Sequence, residues 1–307
     1  TAWTAQVSPT TSSLSGAWGT GANNIWAVGS SGAIVRWDGT SWASQNSGTL
    51  NLLLSVWGTA ADSVFAVGYN GVILRWNGSA WAAQTAVTTR NFSGLWGSSA
   101  SSAWAVGFDG VVAAWNGSAW TLSQSGPTPD LEWIWGRNAS ELWAAGAGGA
   151  ILRGNGSTFT AQSSGSTVYL YGIWAADATH AWAVGQSGTL LKWDGATWTA
   201  AAGAPAIYYY GIWGLDANNV WAAGENGAVA KWDGTTWTKQ STGASSALHD
   251  ISGLDANNIW AVGSFGTIVR WNGTSWTSQK SASSSDIYSV WPADANNVWA
   301  VGTGGAI

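Results

Sequence analysis

A set of aromatic and acidic side chains in the middle of the chain has the residue types best suited to ligand chemistry. Three segments follow one another along the chain, Asp130-Leu131-Glu132-Trp133, Val168-Tyr169-Leu170-Tyr171 and Ile207-Tyr208-Tyr209-Tyr210, and Leu248-His249-Asp250 and Ile287-Tyr288 follow them. Tyrosine and tryptophan combine a flat apolar face with a polar edge, which suits sugar rings and the surfaces of partner proteins. The residues expected to bind a ligand are Tyr171, Tyr208, Tyr210, Tyr288, Trp133, Glu132 and His249.

In this set the aromatic rings are expected to stack on the ligand, and Glu132 and His249 are expected to form the orienting hydrogen bonds. Catalysis is a weaker interpretation, because His249 and Asp250 are sequence neighbours, and neighbours in a strand point to opposite sides. The sequence has no glycine-rich phosphate loop, metal-ligand spacing or nucleophile elbow. We therefore expect a binding protein without catalytic residues, metal or cofactor. The alternative is a hydrolase or lyase acting at the same place.

Composition narrows the classes of partner. The net charge is −5, and only 8% of residues are charged, so no basic patch for nucleic acid is expected. No apolar run is long enough to predict membrane insertion. Cysteine and methionine are absent and the remaining surface is rich in Ser, Thr, Asn and Gly, which favours a secreted or cell-surface protein. We expect a monomer that binds a glycan or a protein.

The elements that must position these residues follow from the tryptophans. Of the 28 tryptophans, all but Trp133 fall into four series with a step of 39 residues, and no insertion or deletion interrupts them. The first series begins at Trp18, the second at Trp26, the third at Trp37 and the fourth at Trp3. A period of about 40 residues is typical of propellers and solenoids.

One repeat contains four short strands. They are predicted over residues 14–19, 25–29, 33–37 and 40–45, separated by a turn at 21–24, a short loop at 30–32 and Asp38-Gly39. The Asp-Gly or Asn-Gly pair recurs in later repeats and predicts a type I′ turn with two residues of positive φ. Gly29 and Gly32 recur in all copies, which indicates positive φ or close backbone approach.

These patterns predict an all-β, eight-bladed propeller with four antiparallel strands per blade, forming one domain over residues 1–307. Ile307 aligns with Ile34, and Trp3 aligns with Trp42. We therefore expect residues 1–8 to close the ring by supplying the outer strand of the last blade, which would also remove exposed sheet edges.

The segment from Leu254 to Trp276, LDANNIWAVGSFGTIVRWNGTSW, resembles a WD-repeat blade, in which the third strand ends in Trp-Asp. That pair occurs here at Trp37-Asp38, Trp193-Asp194 and Trp232-Asp233, and the resemblance covers the whole chain. The WDGTSW turn also resembles the Asp-box of sialidase-like propellers, but Asp and Gly are adjacent here, so sialidase chemistry is not implied. By analogy with WD repeats, the two uniform turns should share one face, and the variable loops and entries should share the other.

Each distinctive feature also has a structural interpretation. The tyrosines at the channel mouth could simply plug it. The Asp-Ala-Asn-Asn turns at Asp216, Asp255 and Asp294 could suggest calcium, but capping of a tight turn explains them better. The basic residues that precede third-strand tryptophans, such as Arg36, are expected to pack across the sheet. A third functional alternative is a recently amplified or engineered repeat that has no specific ligand.

Overall fold

The computed structural model describes residues 2–124, 129–201, 203 and 205–307. Each repeat begins with a strand of six or eight residues: β1 (Leu14–Gly21), β5 (Leu53–Ala60), β9 (Phe92–Ser99), β13 (Leu131–Asn138), β17 (Leu170–Asp177), β21 (Tyr209–Asp216), β25 (Leu248–Asp255) and β29 (Ile287–Pro292). The second strands are β2 (Asn24–Gly29), β6 (Ser63–Gly68), β10 (Ser102–Gly107), β14 (Glu141–Gly146), β18 (His180–Gly185), β22 (Asn219–Gly224), β26 (Asn258–Gly263) and β30 (Val298–Gly302).

The third strands are β3 (Ile34–Trp37), β7 (Ile73–Trp76), β11 (Val112–Trp115), β15 (Ile151–Gly154), β19 (Leu190–Trp193), β23 (Val229–Trp232) and β27 (Ile268–Trp271). The fourth strands are β4 (Trp42–Gln45), β8 (Trp81–Ala83), β12 (Trp120–Gln124), β16 (Phe159–Gln162), β20 (Trp198–Ala200), β24 (Trp237–Gln240) and β28 (Trp276–Gln279). Three-residue 3₁₀ turns link second to third strands at Ser30–Gly32, Tyr69–Gly71, Phe108–Gly110, Ala147–Gly149, Gln186–Gly188, Glu225–Gly227 and Ser264–Gly266, and Thr303–Gly305 follows β30.

The strands form antiparallel sheets in chain order, and the first strands of neighbouring sheets contact one another from β1 through to β29 and back to β1. This arrangement is a β-propeller, and it confirms the predicted all-β class and the four antiparallel strands per blade. The helical segments in the described part of the chain are 3₁₀ turns, and none is long and apolar enough to cross a membrane.

The predicted number of blades is wrong. The structure has seven four-stranded blades, and the sheet between the seventh blade and the first contains only two strands, β29 and β30. After β30 the described residues 303–307 form the Thr303–Gly305 turn and no third strand.

The predicted closing strand over residues 1–8 is also wrong, because the described residues 2–13 form no strand. The Gln6 amide donates to the Ile307 carbonyl at 2.9 Å, whereas β4 pairs with β3 at four residues. Trp3 packs against the core cluster around Trp260. The N-terminal segment therefore lies beside the last sheet without becoming a strand of it.

The turns follow the sequence pattern in part. Gly32 has φ of +67°, while Gly29 is extended and lies so close to the Ser13 carbonyl that a Cβ would collide with it. The predicted type I′ turn is wrong, because only Gly39 of the Asp38-Gly39 pair has positive φ. Asp38 instead accepts hydrogen bonds from the amides of Thr40 and Ser41 at 2.8 and 2.9 Å, which makes a longer loop capped by the carboxylate.

The core between blades is built from tryptophan and basic residues. Trp26 of β2 lies 4.9 Å from Trp76 of β7 and 5.2 Å from Trp81 of β8, measured between ring centroids. The guanidinium of Arg36 lies over both Trp26 and Trp76, at 4.9 and 5.5 Å. This confirms that the basic residues pack across the sheets. Arg75, Arg153 and Lys231 likewise lie over two aromatic rings each, whereas Lys192 and Arg270 lie over one.

Gly154 shows how the core adjusts where a copy lacks tryptophan. A Cβ on Gly154 would meet the ring of Phe159, which replaces the fourth-strand tryptophan in the same blade. The smaller Phe159 has therefore moved into the space that the missing third-strand indole would fill.

Candidate functional site

The mouth of the central cavity lies on the face formed by the 3₁₀ turns and the connections into the first strands, called here the loop face. The first residue of each 3₁₀ turn donates its amide to the carbonyl of the connection before the first strand, as in Ser30 to Ser13 at 2.9 Å and Gln186 to Tyr169 at 3.0 Å. The other face, called the turn face, has turns joined by the Trp37 indole, which donates to the Ala22 carbonyl at 3.1 Å. The predicted division between two faces is confirmed.

The cavity has a volume of about 370 Å³ and is lined by the first strands of every sheet. Its wall includes Trp18, Trp57, Trp96, Trp135, Trp174 and Trp213. Of the predicted binding residues, it is also lined by Trp133, Tyr171, Tyr210, His249 and Tyr288. The prediction that these residues gather at the channel is therefore consistent with the structure, while ligand binding by them stays a prediction.

Five rings form a continuous row along part of the mouth, called here the aromatic arc: Tyr169, Tyr171, Tyr210, His249 and Tyr288. Successive ring centroids are 4.9, 5.3, 5.9 and 5.8 Å apart. Four of the five occupy the same position, the second residue of β17, β21, β25 and β29. That position holds Ser15, Leu54 and Ser93 in the first three blades, so the mouth is aromatic on one side only.

Each of these four rings is tied to the 3₁₀ turn of its own sheet, fifteen residues further along the chain. Gln186 donates to the Tyr171 hydroxyl at 3.0 Å, and Tyr210 donates to Glu225 at 3.5 Å. His249 Nε2 lies 2.9 Å from Ser264 Oγ, and Thr303 donates to the Tyr288 hydroxyl at 3.0 Å. The polar edges of the rings are thus held at the rim rather than inside the cavity, which differs from the arrangement expected of a simple plug.

Glu132 of β13 extends the arc into the neighbouring blade through Tyr169. The Tyr169 hydroxyl donates to Glu132 Oε2 at 2.6 Å. Burial, and then this bond to a carboxylate, raise the pKa of Tyr169 well above its ordinary value, so the phenol keeps its proton. Glu132 therefore already has a hydrogen-bond partner within the protein, which the sequence analysis did not foresee.

Trp133 and Tyr208 are less closely tied to the arc. Trp133 is 46% exposed although it lines the cavity, and it stands where four other first strands have glycine. Tyr208 is 36% exposed, lies outside the cavity-lining set, and its amide donates to Glu225 Oε2 at 3.2 Å. Of the seven predicted residues, Glu132 and Tyr208 lie outside the cavity lining, and Glu132 is joined to the arc through Tyr169.

The ionisable side chains in and around the arc are either neutral or negatively charged at pH 7. Burial lowers the pKa of His249, with the charge of Asp286 opposing it, so the imidazole is neutral at pH 7. Burial raises the pKa of Tyr210, and the nearby Glu225 carboxylate raises it further. In the cavity, burial raises the pKa of Asp250 against the amides of Val290 and Ile251, which donate to its carboxylate at 2.9 and 2.8 Å.

The pairing of His249 with Ser264 has the geometry of a base beside a hydroxyl nucleophile. It occupies, however, the same place as the tyrosine contacts of three other sheets. Asp286, the carboxylate that acts on His249, accepts the amide of Phe265 at 2.9 Å. The contact therefore belongs to the repeated side-chain pattern of the arc, and nothing in it assembles a catalytic triad.

The described residues contain no group of three or more His, Cys, Asp or Glu that could hold a metal ion. The Asp residues suggested as calcium ligands cap turns instead: Asp216 and Asp255 each accept the amide two residues later at 2.8 Å and the side-chain amide of the Asn three residues later. This supports the turn-capping interpretation.

Sequence reasoning missed five partners of the site: Tyr169, Gln186, Glu225, Ser264 and Thr303. Glu225 and Ser264 belong to the loops whose sequence differs between copies, so that difference was a signal that could have identified them. Their constant fifteen-residue separation from the ring residues is visible in the repeat and is the signal that could have paired them.

No family model matches the sequence, and no curated protein matches it. Solved structures match along nearly the whole chain. YCF48 bound to D1 peptide is 15% identical, with a TM-score of 0.65 and coverage of 100% of this chain and 95% of that one. The computationally designed Ika8 protein is 14% identical, with a TM-score of 0.82 and coverage of 98% and 96%. The C-terminal WD40 domain of Sif2 is 12% identical, with a TM-score of 0.75 and coverage of 100% and 97%. These similarities show a WD40-like β-propeller fold.

Proposed function

We propose that this propeller is a non-catalytic interaction module that binds a segment of a partner protein at the aromatic arc. The observation that carries the proposal is the asymmetry of the mouth. One repeat position is occupied by Tyr171, Tyr210, His249 and Tyr288 on one side, and by Ser15, Leu54 and Ser93 on the other. A purely structural role would be the same in each blade, so the difference favours one specific surface.

The chemistry of the arc favours a positively charged side chain on the partner. The carboxylates near the rings are Asp130, Glu132, Glu225, Asp250 and Asp286. The faces of tyrosine rings attract Lys and Arg, and neighbouring carboxylates add to that attraction. We propose that an Arg or Lys of the partner lies against Tyr171 and Tyr210, where the rings are 5.3 Å apart.

A protein partner also agrees with what the similar structures contain. The YCF48 structure holds a peptide, and the fold of this chain is similar to it over its whole length. A glycan would use the same ring faces, but it would gain nothing from the surrounding carboxylates through cation–π contact. A glycan ligand is therefore an outcome that the test must distinguish.

The test is selection from a random peptide display library against the intact protein. The selected peptides are then measured by calorimetry against Y171A/Y210A and against Leu54→Ala, which changes the same repeat position on the other side. We expect peptides enriched in Lys and Arg, with affinity reduced about tenfold or more in Y171A/Y210A. Leu54→Ala should leave affinity unchanged, and added salt should weaken binding.

Circular dichroism checks that the double variant keeps its fold. Peptides that bind Y171A/Y210A as tightly as the unchanged protein would place the site elsewhere. Ligands found on a glycan array, with none from the peptide library, would replace the proposed partner class. Turnover of a bound ligand would contradict the non-catalytic role.

A further inference from the structure

The central cavity continues below the aromatic arc, where indole rings line it. We call these rings the indole wall: Trp18, Trp57, Trp96, Trp135, Trp174 and Trp213. Five of them lie against a glycine of the next first strand, where a Cβ would stand 2.4–2.9 Å from the ring, as on Gly97 beside Trp57. Each of these rings therefore covers the wall between its own strand and the next one.

The seventh blade interrupts the indole wall with two changes on one strand. Ser252 stands at the repeat position of the six tryptophans, so β25 sends no ring towards β29. Asp250 stands where four other first strands have glycine. Both residues line the cavity, and they belong to a regularly paired stretch of β25. Because they are two residues apart, their side chains leave the strand on the same side.

These two residues lie deeper in the cavity than the aromatic arc. His249 is at the rim, where its imidazole contacts the Ser264 hydroxyl, and the register of β25 shifts between Leu248 and Asp250. Ser252 follows His249 by three residues along the strand. At about 3.3 Å per residue, it lies about 10 Å below the rim. The interrupted part of the indole wall is thus separate from the rings of the arc.

Asp250 is held in place by backbone amides and not by a basic side chain. The amides of Ile251 and Val290 donate to its carboxylate at 2.8 and 2.9 Å, and the Ser289 side chain forms a third hydrogen bond with it. A carboxylate has about four acceptor positions, so one more donor can be accommodated. Among the described residues that line the cavity there is no Lys or Arg. Burial raises the pKa of Asp250, which reflects the cost of a charge without a cationic partner.

The chemistry of this space favours an organic cation over a metal ion or a neutral molecule. A metal ion such as Ca²⁺ takes several oxygen ligands, whereas Asp250 is the one carboxylate among the described residues of the cavity lining. A neutral apolar molecule would bury that carboxylate further without a charge to compensate it. An ammonium group can donate a hydrogen bond to it and is also attracted to indole faces. The cavity volume of about 370 Å³ lies in the range of small-molecule sites.

We propose that the central cavity binds a small protonated amine with an apolar body. The ammonium group donates to the Asp250 carboxylate in the gap beside Ser252, and the apolar body packs on the indole wall. The carboxylate thereby gains the cationic partner that the protein does not supply, and the indoles replace the water around the apolar part of the ligand. This site is independent of peptide binding at the aromatic arc.

The probe is 2-phenylethylamine, which is positively charged at pH 7, and 2-phenylethanol is the matched neutral compound. Calorimetry with the intact protein should show that the amine binds about tenfold or more tightly than the alcohol, because only the amine pairs a charge with Asp250. In D250G, glycine takes the place that it has in four other blades, and the preference for the amine should disappear. Ser55→Gly makes the equivalent change in the second blade and should leave both affinities unchanged.

A second variant fills the gap without touching the carboxylate. S252W/P292G gives the seventh blade and its neighbour the tryptophan and glycine that meet between other blades, as Trp57 and Gly97 do. The added indole should occupy the space beside Asp250 and weaken amine binding about tenfold or more. Circular dichroism checks that both variants keep the fold of the unchanged protein.

Absence of amine binding, equal affinities for amine and alcohol, or a preference for the amine that survives in D250G would each overturn the proposal. Amine binding that is undiminished in S252W/P292G would also overturn it, because the ligand would then lie elsewhere. Y171A/Y210A, which removes two rings of the arc, should keep the preference for the amine. Loss of that preference would place the amine at the arc and overturn this proposal, while the peptide test of the arc stands separately.

Discussion

The turn face and the loop face are built from the same repeat. The turn face keeps the same side-chain hydrogen bond in six blades, whereas the side chains of the loop face differ between blades. At the turn face, six third-strand tryptophans donate their indole N–H to the carbonyl of the turn fifteen residues earlier, at 2.9–3.1 Å. At the loop face the backbone bonds repeat, but the side chains above them change from Ser15 to Tyr171 and His249. The comparison indicates that the turn face holds the fold and that the loop face carries what distinguishes one blade from another.

The largest expected effect comes from removing one large aromatic side chain from the core between blades and, separately, one from the loop face. Trp221 is 1% exposed and fills the space between two blades, so Trp221→Ala should lower the free energy of unfolding by about 3–5 kcal/mol. Tyr288, which is 40% exposed at the mouth, should cost about 1 kcal/mol or less when changed to Ala. Urea unfolding measures both. Equal losses would contradict the division of roles between core and loop face.

A finer test separates the indole hydrogen bond from the indole's volume. The Trp232 indole donates to the Ala217 carbonyl at 3.1 Å, whereas the Trp221 indole nitrogen is buried without a protein partner among the described residues. Trp→Phe removes a similar volume at both sites, and Phe65 already occupies the position of Trp221 in the second blade. Trp232→Phe should therefore cost about 1 kcal/mol more than Trp221→Phe.

The two single variants are compared by their denaturant midpoints at equal slope. Trp221→Phe is the control for lost packing. A larger loss in Trp221→Phe would mean that the repeated turn-face bond contributes little to stability.

The smallest expected effect concerns pH at the turn face. The Thr40 hydroxyl and the amides of Ser41 and Thr40 lower the pKa of Asp38 to about 2, and the Thr236 amide with the Thr235 hydroxyl and amide lower that of Asp233 to about 2. The unfolded value is about 3.9. These carboxylates thus contribute stability above pH 3.9, which is lost as the pH falls through about 2.

Asn already caps the same loop at Asn77 and Asn272, where it accepts the equivalent amides at 2.9–3.0 Å. D38N/D233N should therefore fold with a slightly lower melting temperature than the unchanged protein at pH 7, because the charge contribution is lost, and should lose less of it between pH 4 and pH 2. An undiminished acid dependence in the double variant would assign that dependence to other groups.

The repeat made much of this structure predictable. Successive first strands lie in the same place in each blade, so a constant step of 39 residues brings Tyr171, Tyr210, His249 and Tyr288 side by side. The channel mouth could thus be located from spacing alone. The tie between each ring and its 3₁₀ turn was not predicted, because it depends on which rotamer each side chain adopts.

Two sequence-based predictions failed for different reasons. Asp-Gly is also compatible with a longer loop. That loop forms here because the Asp38 carboxylate accepts two backbone amides, those of Thr40 and Ser41, which stabilises it over a type I′ turn. The closing strand failed because strand formation needs a partner. Trp3 has the expected repeat position, but in this structure the segment around it makes one backbone hydrogen bond, from Gln6 to Ile307, and adopts no strand.

The sequence by itself determined the all-β propeller, its four strands per blade, its two faces and the residues around its mouth. These follow from periodicity, which fixes every equivalent position at once. The tertiary structure decided the rest: the count of seven four-stranded blades and the bonds that fix the arc. Those features depend on which backbone and side-chain groups actually meet across neighbouring sheets, and a repeat specifies the positions but not the pairings.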